Sequence, residues 1–180
     1  MSDYLIDQFM ALAGGREREF AAGSFLFHQG EVVDYGMIVL AGQVSLIRHQ
    51  VDGSSVILQR ASVQQVVAEA SLFSKVYHCD GLAEVDCRLW LTPKAGLLTA
   101  LQHDTTLAFS WMQYLTQQVQ QARFQRELLA LKTVAARLDA WLNWHEIPLP
   151  PKGEWKPLAA QLGVSPEALY RELAKRDLTH

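Results

Sequence analysis

The chain has 180 residues, of which 49% are hydrophobic and 19% charged, and its formal net charge is -3 at pH 7. This length allows one large or two small domains, and the composition is that of an ordinary globular protein. The negative charge excludes a protein that coats nucleic acid non-specifically, because such binding needs excess positive charge. The longest apolar runs fall far short of the roughly 20 residues that span a bilayer, and the first residues lack the pattern of a signal peptide. We therefore expect a cytoplasmic protein without membrane contact.

Cysteine and histidine usage gives no sign of a metal centre. The two cysteines, Cys79 and Cys87, are too few for a disulfide framework or a four-cysteine zinc site and are expected to be free thiols. A cupin-like enzyme would need a His/Glu metal cluster, and the four histidines considered for one show no ligand spacing: His28, His49, His78 and His103. The sequence therefore predicts neither a metal site nor an enzyme.

The N-terminal half changes from a helical to a β-strand pattern. Apolar residues at helical spacing predict a short amphipathic helix from Asp3 to Leu12. From Phe20 to about Leu91, short β-rich runs alternate with turn residues. The strand candidates are Ser24–His28, Met37–Leu40, Val44–Ile47, Ser55–Leu58 and Leu82–Leu91, and the turns are supplied by Gly30, Gly42 and Asp52–Gly53. Such short, regular spacing predicts an antiparallel sandwich or barrel.

A short helix over Pro93–Leu101 is followed by a long helix predicted from about Thr105 to Leu131. The long helix carries a heptad-like seam of Ala108, Met112, Leu115, Val119, Ala122 and Leu129, with Arg126 at one seam position. A single seam of this kind is what a parallel helix pair buries, so the pattern predicts a homodimer. A second apolar face, formed by Leu107, Trp111, Tyr114 and Leu128, is available for packing on the β domain. The alternative is a helix that packs on its own β domain alone.

The C-terminal segment has the pattern of helix, tight turn, helix. A helix from about Thr133 to Asn143 and a proline-rich loop precede it. Two short apolar stripes follow, one of Leu158, Ala159 and Leu162 and one of Leu169, Leu173 and Ala174. Between them, Gly163 can end the first helix in a left-handed conformation, Ser165 is a good N-cap, and Pro166 fits the first helical position. This order predicts a helix-turn-helix.

The second helix of the pair carries polar residues opposite its apolar stripe. Glu167, Tyr170 and Arg171 point outward together if the helix starts after Ser165. Arginine can bind guanine O6 and N7 with two hydrogen bonds, and glutamate can accept from cytosine N4. The simpler interpretation is a solvated helix face with an ordinary Glu/Arg ion pair at i, i+4.

Four motifs in this order resemble the Crp/Fnr family of bacterial transcription regulators. They are Phe27–Glu31 (FHQGE), Leu40–Val44 (LAGQV), Ala68–Phe73 (AEASLF) and Gly163–Arg171 (GVSPEALYR). The resemblance implies an α+β chain with an antiparallel, cyclic-nucleotide-binding-like β-roll at residues 1–104, a dimerisation helix at 105–131 and a helix-turn-helix domain at 132–180. It also implies a homodimer on a palindromic double-stranded operator, with RNA polymerase as a candidate further partner.

The resemblance carries over individual residues of the recognition helix. Glu167 and Arg171 correspond to the base-reading pair, with Tyr170 between them, and Ser165 and Lys175 are candidate phosphate contacts. The position before the glutamate, often basic or small in the family, is Pro166, so the resemblance carries no side-chain contact over to that position. The family's β-hairpin wing after this helix has no full counterpart before the last residue, so we expect a helix-turn-helix without a full wing.

The effector pocket departs most from the family pattern. Glu69 is retained, but Ala68 replaces a glycine, and the Arg-Ser pair that holds a cyclic phosphate falls on about Cys79–Asp80. A carboxylate at that place repels a phosphodiester, so cyclic AMP is not expected to bind in the usual way. The predicted effector pocket comprises Glu69, Ser71, His78, Cys79 and Asp80, and its ligand is unknown.

Two further interpretations stay open at this stage. Haem held through His78 or His28 is a minor alternative, because a lone histidine among strands is more often a structural residue. A haem or small-molecule sensor of the same fold with weak or no DNA binding is the alternative to a DNA-binding regulator.

An altered turn before Glu69, which reads Ser62–Gln65 instead of the family's Pro-Gly-Asp, also separates this chain from typical members.

Overall fold

The computed structural model describes residues 3–177, which form eight strands and six α-helices. The chain divides into two compact units, Met1–Leu115 and Thr116–His180. The first contains α1 (Asp3–Ala11), β1 (Arg16–Phe20), β2 (Phe25–Phe27), β3 (Tyr35–Ala41), β4 (Val44–His49), β5 (Ser55–Ala61), β6 (Val66–Val67), β7 (Asp80–Ala83), β8 (Cys87–Pro93) and α2 (Lys94–His103). The division falls within α3 (Thr105–Ala130), and α4 (Val134–His145), α5 (Trp155–Leu162) and α6 (Pro166–Asp177) belong to the second unit.

The strands form two four-stranded antiparallel sheets, in the orders β1-β8-β3-β6 and β2-β7-β4-β5. Alternate side chains of both sheets meet in one apolar core, which includes Phe27, Met37, Val39, Leu46 and Leu89. Burial of these side chains supplies most of the driving force for the β domain. The predicted antiparallel β architecture is therefore confirmed.

Three strand assignments made from the sequence were wrong or incomplete. The run Leu82–Leu91 is two strands, β7 and β8, separated by a turn whose Asp86 carboxylate accepts a hydrogen bond from the Ala22 N–H at 2.8 Å. The strand β1 was missed because four of its five residues are exposed and charged, and only Phe20 is buried. The strand β6 has two residues, too few for a periodic pattern to identify it.

Two residues other than glycine adopt the left-handed conformation near the predicted effector pocket. The predicted turn glycines Gly30, Gly42 and Gly53 all have positive φ, which glycine adopts at little steric cost. Gln64 has φ 66° in the segment that replaces the family's Pro-Gly-Asp turn, and Ala68 has φ 55° immediately before Glu69. A side chain at such a φ is strained, so the segment before Glu69 carries backbone strain at two positions.

Helices α1 and α2 and the start of α3 pack together in a second apolar cluster. This cluster contains Phe9, Ile38, Leu97, Leu107, Trp111 and Tyr114. The inward face predicted for the long helix is therefore present at Leu107, Trp111 and Tyr114. The fourth member of that predicted face, Leu128, is instead buried in the core of the second unit, with side chains of α4, α5 and α6.

The C-terminal unit is a small helical domain around its own core. The core combines Phe124 and Leu128 of α3 with Leu138, Trp141, Leu158, Leu162, Leu169 and Leu173. Helix α5 ends at Gly163 in the left-handed conformation (φ 64°), and Ser165 caps α6 through a 3.2 Å hydrogen bond from the Ala168 N–H to the Ser165 Oγ. The predicted helix, turn and helix are confirmed.

The predicted absence of a full wing concerns chain beyond α6, which lies outside the described residues. Within residues 3–177, no helix combines the length and apolar character that crossing a bilayer would require.

Candidate DNA-binding surface and effector pocket

Helix α6 buries one face and presents another to solvent. Leu169 and Leu173 are 0% and 3% exposed, whereas Glu167 and Arg171 are exposed and Tyr170 is 36% exposed. The Tyr170 ring also contacts the Trp155 ring of α5, at a centroid distance of 5.6 Å. The three side chains that the sequence assigned to base contacts therefore share one accessible surface.

The N-terminal turn of α6 stabilises the negative charge of Glu167. Hydrogen bonds from its own backbone N–H and from the Ser165 hydroxyl, with the positive charges of Arg171 and Lys156, keep the pKa of Glu167 below its usual value. The positive end of the helix dipole acts in the same direction. Glu167 is thus an ionised hydrogen-bond acceptor at neutral pH, as a contact to cytosine N4 requires.

A groove of about 490 Å³ runs between the start of α4 and the exposed side of α6. It is lined by Thr133, Val134, Ala135, Ala168, Arg171, Glu172 and Lys175. The first N–H groups of a helix lack intrahelical partners and favour a nearby negative charge. The groove combines the first turn of α4 with the cationic side chains of Arg171 and Lys175, so it is suited to an anion. This groove was not predicted from the sequence, because the start of α4 and Arg171 are distant in the chain.

Arg176 links α6 to α4. Its guanidinium donates hydrogen bonds to the Asp139 carboxylate at 2.7 Å, to the Glu172 carboxylate at 3.3 Å and to the Ala135 carbonyl at 3.3 Å. These contacts join the C-terminal half of α6 to α4.

Asp80 is the centre of a polar cluster in the β domain. It is 7% exposed, and its Oδ1 accepts a hydrogen bond from the Gln29 N–H at 2.7 Å. The His28 Nδ1 lies 3.4 Å from Oδ1, and the His49 Nε2 lies 3.3 Å from Oδ2. The carboxylate that the sequence placed at the phosphate-binding position therefore already has three partners. Neither Gln29 nor His49 was predicted to belong to the pocket, because Gln29 lies in the turn after β2 and His49 at the end of β4, both distant from Asp80 in the chain.

Glu69 lies partly buried on the other side of the predicted pocket. Burial raises the pKa of its carboxyl group, while its own backbone N–H and the Gln59 side chain oppose the shift by hydrogen bonding. Its Oε2 is buried and has no hydrogen-bond partner among the residues that the structure describes. Tyr114 lies close by, and its hydroxyl accepts a 3.1 Å hydrogen bond from the Val66 N–H. Glu69 therefore retains an unused acceptor in a largely dry environment.

The remaining predicted pocket residues differ in accessibility. Ser71 and Cys79 are 2% and 5% exposed, whereas His78 is exposed, with its Nε2 3.4 Å from the Ser74 Oγ. Burial raises the pKa of the Cys79 thiol, Arg48 opposes this, and Asp80 and Glu69 add to it. Cys79 is therefore a protonated, poorly nucleophilic thiol at neutral pH.

The two imidazoles on Asp80 contact different oxygens of the carboxylate and do not converge on one point. Across residues 3–177, no group of three or more His, Cys, Asp or Glu side chains is arranged to hold a metal ion.

The predicted dimer seam of α3 is largely uncovered in the single chain. Met112, Val119 and Leu129 are 56%, 48% and 54% exposed, and Ala122 and Arg126 are also exposed. Leu115 differs, because it is partly buried against the cluster of α1, α2 and α3.

Comparison with known proteins identifies a matching domain family and chains of similar fold. Residues 17–104 match the cyclic nucleotide-binding domain family. FixK2 from Bradyrhizobium japonicum is 19% identical and aligns over 92% of this chain and 85% of its own, with a TM-score of 0.70. The c-di-GMP responsive global regulator CLP from Xanthomonas campestris is 19% identical over 98% and 92%, with a TM-score of 0.63. The Thermus thermophilus catabolite activator protein is 19% identical over 97% and 83%, with a TM-score of 0.58.

No curated protein matches the chain by sequence. The structural likeness nevertheless extends over both units and establishes the fold, which is the α+β fold of Crp/Fnr-type transcriptional regulators. The resemblance and the fold class drawn from the sequence are confirmed.

Proposed function

We propose that the chain is a dimeric, sequence-specific DNA-binding transcription regulator that places α6 of each subunit in one half of a palindromic operator. The observation that carries this proposal is the exposed polar face of α6, with Glu167, Tyr170 and Arg171 opposite the buried Leu169 and Leu173. A helix of this kind, supported by a preceding helix and a tight turn, suits the width of the major groove.

The residues around α6 suit two kinds of contact. Arg171 and Glu167 are the candidates for base edges, and Tyr170 lies beside them. Ser165 and Lys175 are the candidates for phosphates, and the groove between α4 and α6 offers a further place for one. Contacts to phosphate fix the register of a protein on DNA, and contacts to bases supply sequence preference.

The proposed homodimer rests on the exposed seam of α3. Met112, Val119 and Leu129 are large apolar side chains that remain about half exposed in the single chain. Their approximate heptad spacing matches a parallel helix pair, with Ala122 allowing close approach and Arg126 able to fix register. A two-fold dimer would present two copies of α6 to one face of the duplex.

The proposed regulator has an altered effector pocket. Asp80 stands where the resemblance expects a phosphate-binding pair. Its carboxylate already accepts a hydrogen bond from the Gln29 N–H, and the His28 and His49 imidazoles lie 3.4 Å and 3.3 Å from its oxygens. A cyclic phosphate would meet a negative charge instead of a bidentate arginine. Cyclic AMP is therefore not expected to be its effector in the usual mode.

The test is selection of binding sites from random DNA, followed by gel shift at several salt concentrations. We expect a palindromic consensus, with an affinity that falls steeply with salt by a log–log slope of about -0.9 per phosphate contact. The scrambled consensus of the same length is the control. Equal, weak binding to both DNAs would contradict the proposal.

A small-molecule sensor with weak DNA binding is the second candidate. The unpartnered Oε2 of Glu69 favours it, because a buried acceptor without a partner suits a ligand hydroxyl or amine. Thermal-shift screening of the purified protein would identify such a ligand, and a Glu69→Gln variant should lose the shift. An absorption spectrum of the protein after incubation with haem tests that ligand separately.

A further inference from the structure

Arg137 of α4 contacts the ends of two other helices at once. Its Nε donates to the Leu131 carbonyl at 2.9 Å, and its Nη2 donates to the Leu129 carbonyl at 3.2 Å, both at the end of α3. Its Nη1 donates to the carbonyls of Leu162 and Gly163, each at 3.0 Å, at the end of α5. One side chain therefore bonds four carbonyl oxygens from two separate segments.

The electrostatics favour this placement. The last carbonyls of a helix lack intrahelical partners and carry the negative end of the helix dipole. Arg137 brings one positive charge to two such ends, and it takes part in no salt bridge among the described residues. Only a planar guanidinium has enough donors, in a fixed fork, to satisfy four acceptors together.

The contacts cross the two joints that define the position of α6. The first joint is the short link from α3 to α4, which ends at the N-cap Thr133. The second is the turn at Gly163, three residues before α6 begins at Pro166. A side chain added at Gly163 would meet Leu129 Cδ2 at 2.7 Å, so the turn and the end of α3 are closely packed.

We propose that Arg137 is the positioning residue that couples the end of α3 to the helix-turn-helix turn and so sets the direction of α6. This proposal rests on the proposed function in one respect: in a dimer joined along α3, the same coupling fixes the distance between the two recognition helices. Arg137 itself lies on none of the surfaces proposed to contact DNA.

The first test measures the coupling without DNA. Spin labels at Gln120→Cys on α3 and Ala174→Cys on α6 report the distance between the helices by pulsed electron resonance. Both native cysteines are buried and should remain unlabelled, and dilution with unlabelled protein removes distances between subunits. We expect one narrow distance distribution in the parent and a clearly broader one in Arg137→Met. An unchanged distribution in Arg137→Met would overturn the proposal.

Two further variants control this measurement. Arg137→Lys keeps the charge but loses the fork, so its distribution should fall between those of the parent and Arg137→Met. Arg123→Met removes an exposed arginine from α3 and should leave the distribution unchanged. Near-ultraviolet circular dichroism of the tryptophans checks that the C-terminal unit is folded. If Arg137→Met is unfolded, Arg137→Lys decides, and parent-like width in that folded variant would overturn the proposal.

The second test uses DNA. Operators are compared in which the half-site separation is increased by one or two base pairs. The parent should discriminate sharply among them, whereas Arg137→Lys should bind the best operator about tenfold more weakly and discriminate less. Equal weakening at every separation would contradict the proposed spacing role. Failure of the parent to bind any DNA would instead contradict the proposed function, and the spin-label result would still decide the coupling.

Discussion

At the scale of single residues, charge and burial explain why chemically similar groups behave differently. Glu167 is exposed, and its carboxylate accepts hydrogen bonds from its own backbone N–H and from the Ser165 hydroxyl, which lower its pKa. Glu69 is partly buried, and its pKa is raised by burial. Cys79 resembles Glu69, since burial is again the largest cause of its raised pKa. The exposed glutamate is therefore suited to binding as an anion, whereas Glu69 is costly to ionise.

Glu69→Gln is expected to stabilise the protein at neutral pH. Because the pKa of Glu69 is above its ordinary 4.5, the folded state holds this proton more tightly, and the free energy of unfolding falls as pH rises from there. The neutral amide avoids this loss, so its melting temperature should exceed that of the parent at pH 7.5 and approach it at pH 5. Glu127→Gln, at an exposed position, is the control. A lower melting temperature for Glu69→Gln at pH 7.5 would contradict the expectation.

Arg171→Ala tests the proposed base contact. We expect a loss of about 1–3 kcal/mol in operator binding and relaxed preference at one base position, because a bidentate contact to guanine is removed. Quantitative gel shift on single-base variants of the operator measures both effects. Arg123→Ala should change neither. Uniform weakening on all sequences would assign Arg171 to the phosphate backbone.

At the scale of elements, α3 serves the two units in different ways. Its first half buries Leu107, Trp111 and Tyr114 with α1 and α2, and its second half buries Phe124 and Leu128 with α4, α5 and α6. The seam between these buried positions stays exposed along the helix. The heptad pattern identified this seam, but the partial burial of Leu115 in its own unit follows only from the packing of α1 and α2.

The double variant Met112→Glu/Val119→Glu is expected to be monomeric. Both side chains are exposed in the single chain, so the substitutions should spare the fold while placing like charges across the proposed seam. Sedimentation equilibrium should give about the monomer mass of 20.2 kDa, and operator binding should be lost. Gln113→Glu/Gln120→Glu adds the same charge beside the seam and should remain dimeric. A parent-like mass for the first variant would refute the chosen seam.

At the scale of the whole molecule, the net charge and the contacts of Asp80 bear on how the proposed regulator would bind DNA and an effector. The net charge of -3 gives no general attraction to DNA, so affinity has to come from a few well-placed contacts around α6. The β domain has the expected fold, yet Asp80 occupies the expected phosphate position with its own partners. The match of residues 17–104 to the cyclic nucleotide-binding domain family therefore does not by itself predict the ligand.

Cyclic AMP is expected to change neither the melting temperature nor operator binding of the parent protein. In Asp80→Ser, removal of the carboxylate leaves two imidazoles and the Gln29 N–H around a vacated place, so inorganic phosphate should raise the melting temperature of this variant alone. Differential scanning fluorimetry at matched ionic strength, with chloride as the control anion, measures both. Stabilisation of the parent by cyclic AMP would contradict the altered pocket.

Local sequence patterns were sufficient to predict many of the secondary-structure elements of this protein. Turn glycines, the heptad of α3 and the sequence Gly163–Pro166 depend on neighbouring residues, so the order of elements and the outward residues of α6 could be predicted. The predicted base, phosphate and effector contacts remain to be tested.

Only the tertiary structure showed the partners that come from distant parts of the chain. His28 follows β2, His49 ends β4 and Asp80 begins β7, and Arg137 reaches carbonyls at the ends of α3 and α5. The charged strand β1 and the two-residue strand β6 could not be predicted either. Neither has an alternating apolar pattern of its own, and both are strands because they pair with neighbouring strands. Sequence patterns report local periodicity, whereas these contacts depend on the folded backbone that brings remote groups together.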